Sequence, residues 1–246
     1  MKSNWQQAIA EFWGTFALVF IGAGAVVVSG SGTGPLGVAV AHGLVLAIMV
    51  TSLGHISGGH FNPAVTVGAW VAGKIESSRA VFYVVVQLAG AAAGAGVLRL
   101  AIPRRIWEPS SLGATLVNSQ AGFTTGRAVL LEAVLTFFLV FTVFATAIDD
   151  RGAFKSIAGF AIGLVLTMDI LVGGPLTGAS MNPARTFGPA LMAAKWTDFW
   201  VYVAGPLTGG IIASAVYWLS FLRDREVAGP RSEMPIGGGP EEDLPG

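Results

Sequence analysis

The sequence predicts an all-α membrane protein with six transmembrane helices and two re-entrant half-helices, built as an inverted repeat. Three observations support this fold class. The 246 residues are 53% hydrophobic and only 11% charged, whereas about a quarter of the residues in soluble domains are charged. Six apolar stretches are long enough to cross about 30 Å of hydrocarbon as helices. The tripeptide Asn-Pro-Ala occurs twice, and the second copy begins 120 residues after the first.

The six predicted spans divide equally between the two copies of the tripeptide. They lie near residues 8–29, 36–55, 80–102, 128–148, 156–174 and 199–222. Because three is odd, the second half must enter the bilayer from the opposite side, which gives an inverted-topology pair with a site near the midplane. We expect a membrane domain over 1–223, with repeats at about 8–102 and 128–222. A disordered tail is expected over 224–246, which is rich in Pro, Gly and acidic residues.

The duplication extends well beyond the tripeptide. The segment Gly58–Gly68 aligns with Gly178–Gly188 without a gap. Upstream, Gly43–Leu46 recurs as Gly163–Leu166 at the same offset of 120 residues. Two copies in register indicate a duplicated unit, whereas a lone Asn-Pro-Ala would indicate only a helix cap or turn.

Each Asn-Pro-Ala copy is expected to begin a half-helix. Asn is a strong N-cap and Pro is favoured at the first helical position. The segments that follow, Ala64–Trp70 and Ala184–Ala193, are too short to span a membrane. Inversion brings the two N-termini together at the midplane, each with about half a positive charge. The motif residues are Asn62, Pro63, Ala64, Asn182, Pro183 and Ala184.

The residues before each motif are predicted to be non-helical, which leaves their carbonyl groups unpaired. Such backbone is tolerated at membrane depth only where it lines a wet cavity. The two segments are Gly58 to Phe61 and Gly178 to Met181.

The paired motifs, the lead-in Ser57-Gly58-Gly59-His60 and the arginine directly after the second motif resemble the aquaporins of the major intrinsic protein family, from about Ala8 to Phe221. The resemblance implies a passive channel that conducts water in single file and excludes protons and ions. It implies that both motif asparagines donate into the pore. It also implies a ladder of pore carbonyls from Gly58, Gly59, His60, Gly178, Ala179 and Ser180.

The resemblance further implies a selectivity filter of four residues near the outer mouth: His42, Ile170, Ala179 and Arg185. This set departs from the family's strict water filter, which has an aromatic, a His and a Cys or Thr at the first three positions. It is similar to that of the plant vacuolar aquaporins, which pass ammonia and sometimes urea. Val117 stands where those members can carry an extra His. The glycerol-conducting branch fits less well, because Thr186 and Ala190 replace its Asp and basic residue.

Three carboxylates lie within predicted spans, which by default marks functional or structural sites. Glu11 and Glu132 occupy equivalent positions in the repeats, 121 residues apart. The resemblance implies that they accept hydrogen bonds from the loops before Asn62 and Asn182. Asp169 precedes Ile170, but neighbouring side chains on a helix point about 100° apart. We therefore expect a packing or hydrogen-bonding role for Asp169.

Several function classes lack support. The formal net charge is zero, which gives no basis for nucleic-acid binding. There are no cysteines and no acid/base, nucleophile or metal-ligand constellation, so we expect no enzyme activity, metal or cofactor. The alternatives left open are a channel mainly for ammonia, urea or glycerol and, more remotely, a secondary transporter.

The expected partners are water, small neutral solutes and membrane lipid, and the resemblance implies a homotetramer. We expect a multi-pass protein of the cell membrane with both termini in the cytoplasm, because that face carries more basic residues. These are Lys2, Lys74, Arg79, Arg151, Lys155, Arg223, Arg225 and Arg231. His55 is a candidate pH sensor on the same face.

Overall fold

The computed structural model describes residues 4–29, 32, 34–151 and 157–223. Six of its helices are long and apolar enough to cross a membrane, which confirms the six predicted spans. They are α1 (Asn4–Val28), α2 (Gly34–Ser57), α4 (Ser77–Ala101), α6 (Thr125–Val143), α7 (Ala158–Thr177) and α9 (Val201–Tyr217). Helices α6 and α9 each continue into a π-helical turn, Phe144–Ile148 and Trp218–Leu222. The predicted tail over 224–246 lies outside the described residues.

The two half-helices begin at the prolines of the repeated motif. They are α3 (Pro63–Val71) and α8 (Pro183–Met192). Both preceding asparagines have extended backbone, and their side-chain Oδ1 atoms accept hydrogen bonds from the N–H groups of Ala64 at 2.8 Å and Ala184 at 3.0 Å. An Asn N-cap followed by Pro therefore begins each half-helix, as the motif predicts. A short helix, α5 (Arg104–Trp107), lies in the connection between the repeats.

The spans approach closely because glycines lie where they cross. The repeat-related helices α2 and α7 meet at Gly43 and Gly163, where a Cβ on either glycine would lie within 2.5 Å of the other's carbonyl oxygen. Helix α4 meets α1 in the same way, since Cβ atoms at Gly90 and Gly94 would lie 2.4 and 2.6 Å from carbonyl oxygens of α1. Small residues allow such contact where burial of apolar surface supplies no drive between helices.

The outer surface of the bundle is apolar. Large hydrophobic side chains stay exposed along the spans, among them Leu44 on α2, Val85 on α4 and Leu164 on α7. The polar side chains of the spans are instead buried inside, including Glu11 and Glu132, both fully buried. This arrangement is that of an integral membrane protein.

Candidate pore and selectivity filter

The loops before the two half-helices form reciprocal hydrogen bonds where they meet. The Nδ2 atom of Asn62 donates to the carbonyl oxygen of Met181 at 2.8 Å, and that of Asn182 donates to the carbonyl oxygen of Phe61 at 2.9 Å. Phe61 and Met181 have φ of 48° and 52°, in the left-handed region that non-glycine residues rarely adopt. This backbone presents each carbonyl to the opposite asparagine. Each amide has one further N–H to donate.

Two buried carboxylates anchor these loops. Glu11 accepts hydrogen bonds from the backbone N–H groups of His60 at 3.0 Å and Phe61 at 2.7 Å. Glu132 does the same for Ser180 at 3.0 Å and Met181 at 2.8 Å. Each carboxylate also accepts a hydrogen bond from the side-chain hydroxyl of the residue that ends the span before the loop. This residue is Ser57 for Glu11 and Thr177 for Glu132. A carboxylate can accept from several donors at once, so one side chain satisfies a whole non-helical loop.

A tyrosine supports each loop from the neighbouring span. Tyr83 donates to the carbonyl oxygen of Ser57 at 2.9 Å, and Tyr202 donates to that of Thr177 at 2.6 Å. This pair of tyrosines was not predicted from the sequence. The signal was present, because the two tyrosines lie 119 residues apart in the aligned repeats.

A narrow cavity of about 20 Å³ is lined by both motif asparagines. A single water molecule needs about 10–15 Å³, so this space has room for about one water. Its walls are lined by residues in matching positions of the repeats: Leu18 with Leu139, Leu46 with Leu166, His42 with Ile162, His60 with Ser180, Asn62 with Asn182, and Val65 with Arg185.

Wider spaces adjoin both ends of the narrow cavity. The outer vestibule has a volume of about 620 Å³ and shares Arg185 with the narrow cavity. The inner vestibule has a volume of about 300 Å³ and shares His60 and Val143 with it. The three adjoining spaces are together called the route.

Arg185 and His42 meet where the narrow cavity adjoins the outer vestibule. Arg185 is 2% exposed, and its Nη2 lies 3.3 Å from Nε2 of His42. Its Nη1 donates to the carbonyl oxygen of Gly113 at 2.7 Å. The Nδ1 of His42 lies 2.9 Å from the carbonyl oxygen of Val38. That carbonyl can only accept, so Nδ1 carries the proton and Nε2 is free to accept from Arg185. The contacts therefore describe a neutral imidazole beside a guanidinium.

The other two predicted filter residues, Ile170 and Ala179, do not contact the guanidinium in the way that His42 does, and they differ from each other in position. Ile170 lines the outer vestibule, whereas Ala179 is 1% exposed and packs in the same hydrophobic cluster as Ile170. A Cβ at Gly173 of α7 would lie 3.0 Å from the Cβ of Ala179. Among the described residues, Ala179 is not part of the lining of the three spaces. The structure thus brings His42 and Arg185 into contact and sets the Ala179 side chain against α7.

Five of the six residues of the predicted carbonyl ladder line the three spaces, whereas Ala179 is not among the described residues that line them. Gly59, His60 and Ser180 line the narrow cavity. Gly58 lines the inner vestibule and Gly178 the outer one.

Asp169 is buried, with 1% exposure. Neither of its carboxylate oxygens has a hydrogen-bond partner within the described part of the chain. Of the packing or hydrogen-bonding role expected for Asp169, the described residues supply no hydrogen-bond partner, and the packing role stays a prediction. In the same residues, no group of three or more His, Asp or Glu side chains has a spacing suited to a metal ion.

Comparison with known sequences identifies the family. The profile of the major intrinsic protein family matches residues 1–217. The chain belongs to the major intrinsic protein family. It is 44% identical over 218 residues to aquaporin TIP4-4 of Zea mays, covering 85% of this chain and 84% of that protein. It is 40% identical over 231 residues to aquaporin-4 of Mus musculus, covering 92% of this chain and 70% of that protein.

The fold agrees with that of a solved channel of the same family. The structure superposes on the X-ray structure of the aquaglyceroporin from Plasmodium falciparum with a TM-score of 0.80 and 23% sequence identity. The match covers 92% of this chain and 100% of that one. This aquaporin-fold protein is an integral, multi-pass membrane channel for water.

The outer connection of this aquaporin supplies filter contacts that the sequence analysis missed. Besides the Gly113 carbonyl, it contributes Thr115, whose hydroxyl lies 2.8 Å from that of Thr186 on α8. The Thr186 hydroxyl lies 2.6 Å from that of Ser180, which donates to the carbonyl oxygen of Asn182 at 2.8 Å. The connection occurs once in the chain, so the repeat gave no second copy to compare.

Proposed function

We propose that this channel conducts water in single file through a filter formed by His42 and Arg185, and that ammonia passes by the same route. The observation that carries the proposal is the narrow cavity, which has room for about one water and has the two motif asparagines in its wall. Water molecules there must line up, because the space holds them one at a time.

Proton exclusion is proposed to arise at the midplane. Asn62 and Asn182 each have one amide N–H engaged with the opposite loop, and the second is available to a passing water. A water that accepts from these amides points both of its hydrogens away from the midplane. It therefore cannot relay a proton along the file. The converging N-termini of α3 and α8 add positive potential at the same point, which opposes any cation.

The solute range is proposed to follow from the polarity of the filter. Arg185 supplies hydrogen-bond donors, and the surrounding wall includes the apolar Ile170. A small neutral solute that exchanges hydrogen bonds with Arg185 and with the His42 ring meets little other polarity. Water should pass fast and ammonia detectably. Glycerol needs a broader apolar wall and should pass poorly.

The test is a stopped-flow comparison of water, ammonia, urea and glycerol entry into proteoliposomes. In Ile170→His with Ala179→Thr, ammonia permeability should fall more steeply than water permeability, because polarity and bulk return to the filter. Ile170→His alone should carry most of that change, since Ile170 lines the vestibule and Ala179 packs against α7. An unchanged ratio of ammonia to water would remove these residues from the filter. Saturable flux coupled to an ion gradient would instead favour a secondary transporter.

We also propose a homotetramer in the cell membrane with both termini in the cytoplasm. The apolar outer surface would contact lipid and the other subunits. Among the described residues, Lys74, Arg79, Arg151 and Arg223 lie toward the proposed cytoplasmic face; the remaining basic residues assigned to that face lie outside the described residues. Mass measurement of the detergent-solubilised complex should give four copies. Tags at either end should be accessible only from the cytoplasm.

A further inference from the structure

The His42 ring packs directly against the backbone of α1 at Gly22. A Cβ built at Gly22 would lie 2.5 Å from both Cδ2 and Nε2 of the imidazole, closer than real Cβ contacts occur. Nε2 is the atom that accepts the hydrogen bond from Arg185. Gly22 is buried and belongs to neither motif. Only glycine, which has no side chain, leaves room for the imidazole ring at this position.

The next residue of α1 backs the second partner of Arg185. A Cβ at Gly113 would lie 2.5 Å from the carbonyl oxygen of Ala23. Gly113 has φ of 73°, in the left-handed region that favours glycine. Its carbonyl oxygen accepts from Nη1 of Arg185. One turn of α1 thus lies behind both groups that hold the guanidinium.

Helix α1 cannot easily move to make room for a side chain at position 22, so the strain would fall on the His42 ring. Helix α1 is held by α4, whose Gly90 and Gly94 lie against the carbonyl groups of Phe12 and Phe16. The imidazole is tied to its own helix by the hydrogen bond between Nδ1 and the Val38 carbonyl. An added methyl group at position 22 would therefore push the ring away from α1, toward the route and Arg185.

We propose that Gly22 sets the width of the filter: because glycine places no side chain on α1 behind His42, the imidazole can occupy its position beside Arg185. Gly22 acts through His42 and is a positioning residue, and this inference rests on the proposed role of His42 and Arg185 in the filter.

The experiment compares Gly22→Ala, His42→Ala, the double variant and a matched control, Gly24→Ala. Gly24 lies on the same helix, and a Cβ there would meet only the end of the Leu98 side chain, at 3.2 Å. Two quantities are measured for each protein: water permeability in proteoliposomes and the thermal unfolding midpoint in detergent. Alanine favours a helix over glycine, so Gly24→Ala should keep or raise the midpoint and keep water permeability.

We expect Gly22→Ala to lower water permeability about tenfold, which corresponds to a barrier about 1.4 kcal/mol higher, and to lower the unfolding midpoint. Both effects should vanish when the ring is absent, so that the double variant matches His42→Ala. This double-mutant comparison isolates the contact between the two residues. A Gly22→Ala protein that fails to assemble while the double variant assembles would support the proposal equally.

Two results would overturn the inference. One is Gly22→Ala with the water permeability and midpoint of the unchanged protein. The other is a Gly22→Ala effect, or a failure to assemble, that is the same size with and without His42. The unfolding midpoints do not depend on conduction. A lack of water flux in the unchanged protein would therefore count against the proposed function, and the midpoints would still test the packing of Gly22 on His42.

Discussion

The loops before the two half-helices share their support and differ in the residue that follows the motif. Each loop is held by a buried glutamate, a tyrosine hydroxyl and a side-chain hydroxyl at the end of the preceding span. After the motif, the first repeat has Val65 and the second has Arg185, and both line the narrow cavity. The shared parts satisfy backbone that every such loop exposes. The proposed selectivity filter lies at the position where the repeats differ.

The differences extend outward from that position. His42 lines the narrow cavity opposite Arg185, while its counterpart in the second repeat is Ile162. The connection that contains Gly113, whose carbonyl oxygen accepts a hydrogen bond from Arg185, is present once. The polar groups gathered around Arg185 therefore lie at one end of a nearly symmetric route. The narrow cavity is thus lined by matching positions of the two repeats, and the proposed filter lies where those positions carry different residue types.

The largest effect is expected from removing the buried glutamate that supports each loop. Glu11→Ala and Glu132→Ala each leave two buried backbone N–H groups without an acceptor, at about 1–3 kcal/mol for each group. Glu11 also accepts from Nε2 of Gln87 at 2.8 Å, and no such contact is described for Glu132. Glu11→Ala should therefore lower the unfolding midpoint more than Glu132→Ala does. Thermal unfolding in detergent measures this difference.

Gln87→Leu is the control for that difference. It should destabilise the unchanged protein and have a smaller effect once Glu11 is alanine, since the two side chains share a hydrogen bond. Its effect should be the same with and without Glu132. An equal loss from both Glu→Ala variants would mean that Gln87 adds nothing to the first loop.

The next largest effect is expected from making the two motif positions alike. Arg185→Val gives the second repeat the residue that the first has at Val65, and removes a buried cation from the route. Urea and glycerol permeability should rise about tenfold, as for a barrier lowered by about 1.4 kcal/mol, and cations should leak. Stopped-flow solute entry and a proton-leak assay in proteoliposomes measure both. Arg127→Val, at an exposed outer arginine, is the control and should change neither.

Much of this comparison could be predicted from the sequence. The spans, the half-helix starts and the glutamate pair all lie in segments that occur twice, where hydropathy and capping chemistry act locally. The Gly113 contact could not be predicted, because it depends on how a single long connection folds back onto Arg185. The left-handed backbone of Phe61 and Met181 was equally hidden, since their residue types do not favour it. It is imposed by the tertiary contacts of the loops.

A smaller effect is expected at Asp149, at the end of α6. Asp149 follows the π-helical turn, and the single Nε–H of Arg151 is shared between the two carboxylate oxygens of Asp149, at 2.9 and 3.1 Å. These hydrogen bonds hold the pKa of the Asp149 carboxyl well below its usual range, and burial opposes them. Because the folded-state pKa is lowered, the stabilisation is present above the unfolded pKa of about 3.9 and is lost as the pH falls through the folded value.

Asp149→Asn should therefore lower the unfolding midpoint at neutral pH, by the equivalent of about 1.5–3 kcal/mol for a hydrogen bond to a charged group. The gap between the variant and the unchanged protein should narrow as the pH falls below about 4. Thermal unfolding at a series of pH values measures this gap. A gap that stays constant into strong acid would show that the carboxylate charge is not what stabilises this end of α6.

The smallest effect is expected at Asp169, where the repeats differ inside the bundle. The equivalent position in the first repeat, 120 residues earlier, is Met49, which packs against the main hydrophobic cluster. Asp169 is as deeply buried as the core, yet its oxygens have no hydrogen-bond partner among the described residues. Burying a polar group without a partner is destabilising, and an apolar group of similar size removes that cost.

Asp169→Met should therefore raise the unfolding midpoint by about 2–4 °C, the shift expected for about 1 kcal/mol in a chain of this length. Water permeability should stay near that of the unchanged protein, because Asp169 is not among the described residues that line the route. Asp169→Asn is the control: it keeps a polar group at the same place and should conduct equally well without the gain in stability. A lower midpoint for Asp169→Met, or lost conduction in correctly assembled protein, would mean that the carboxylate has a partner in the working channel and that this difference between the repeats serves the pore.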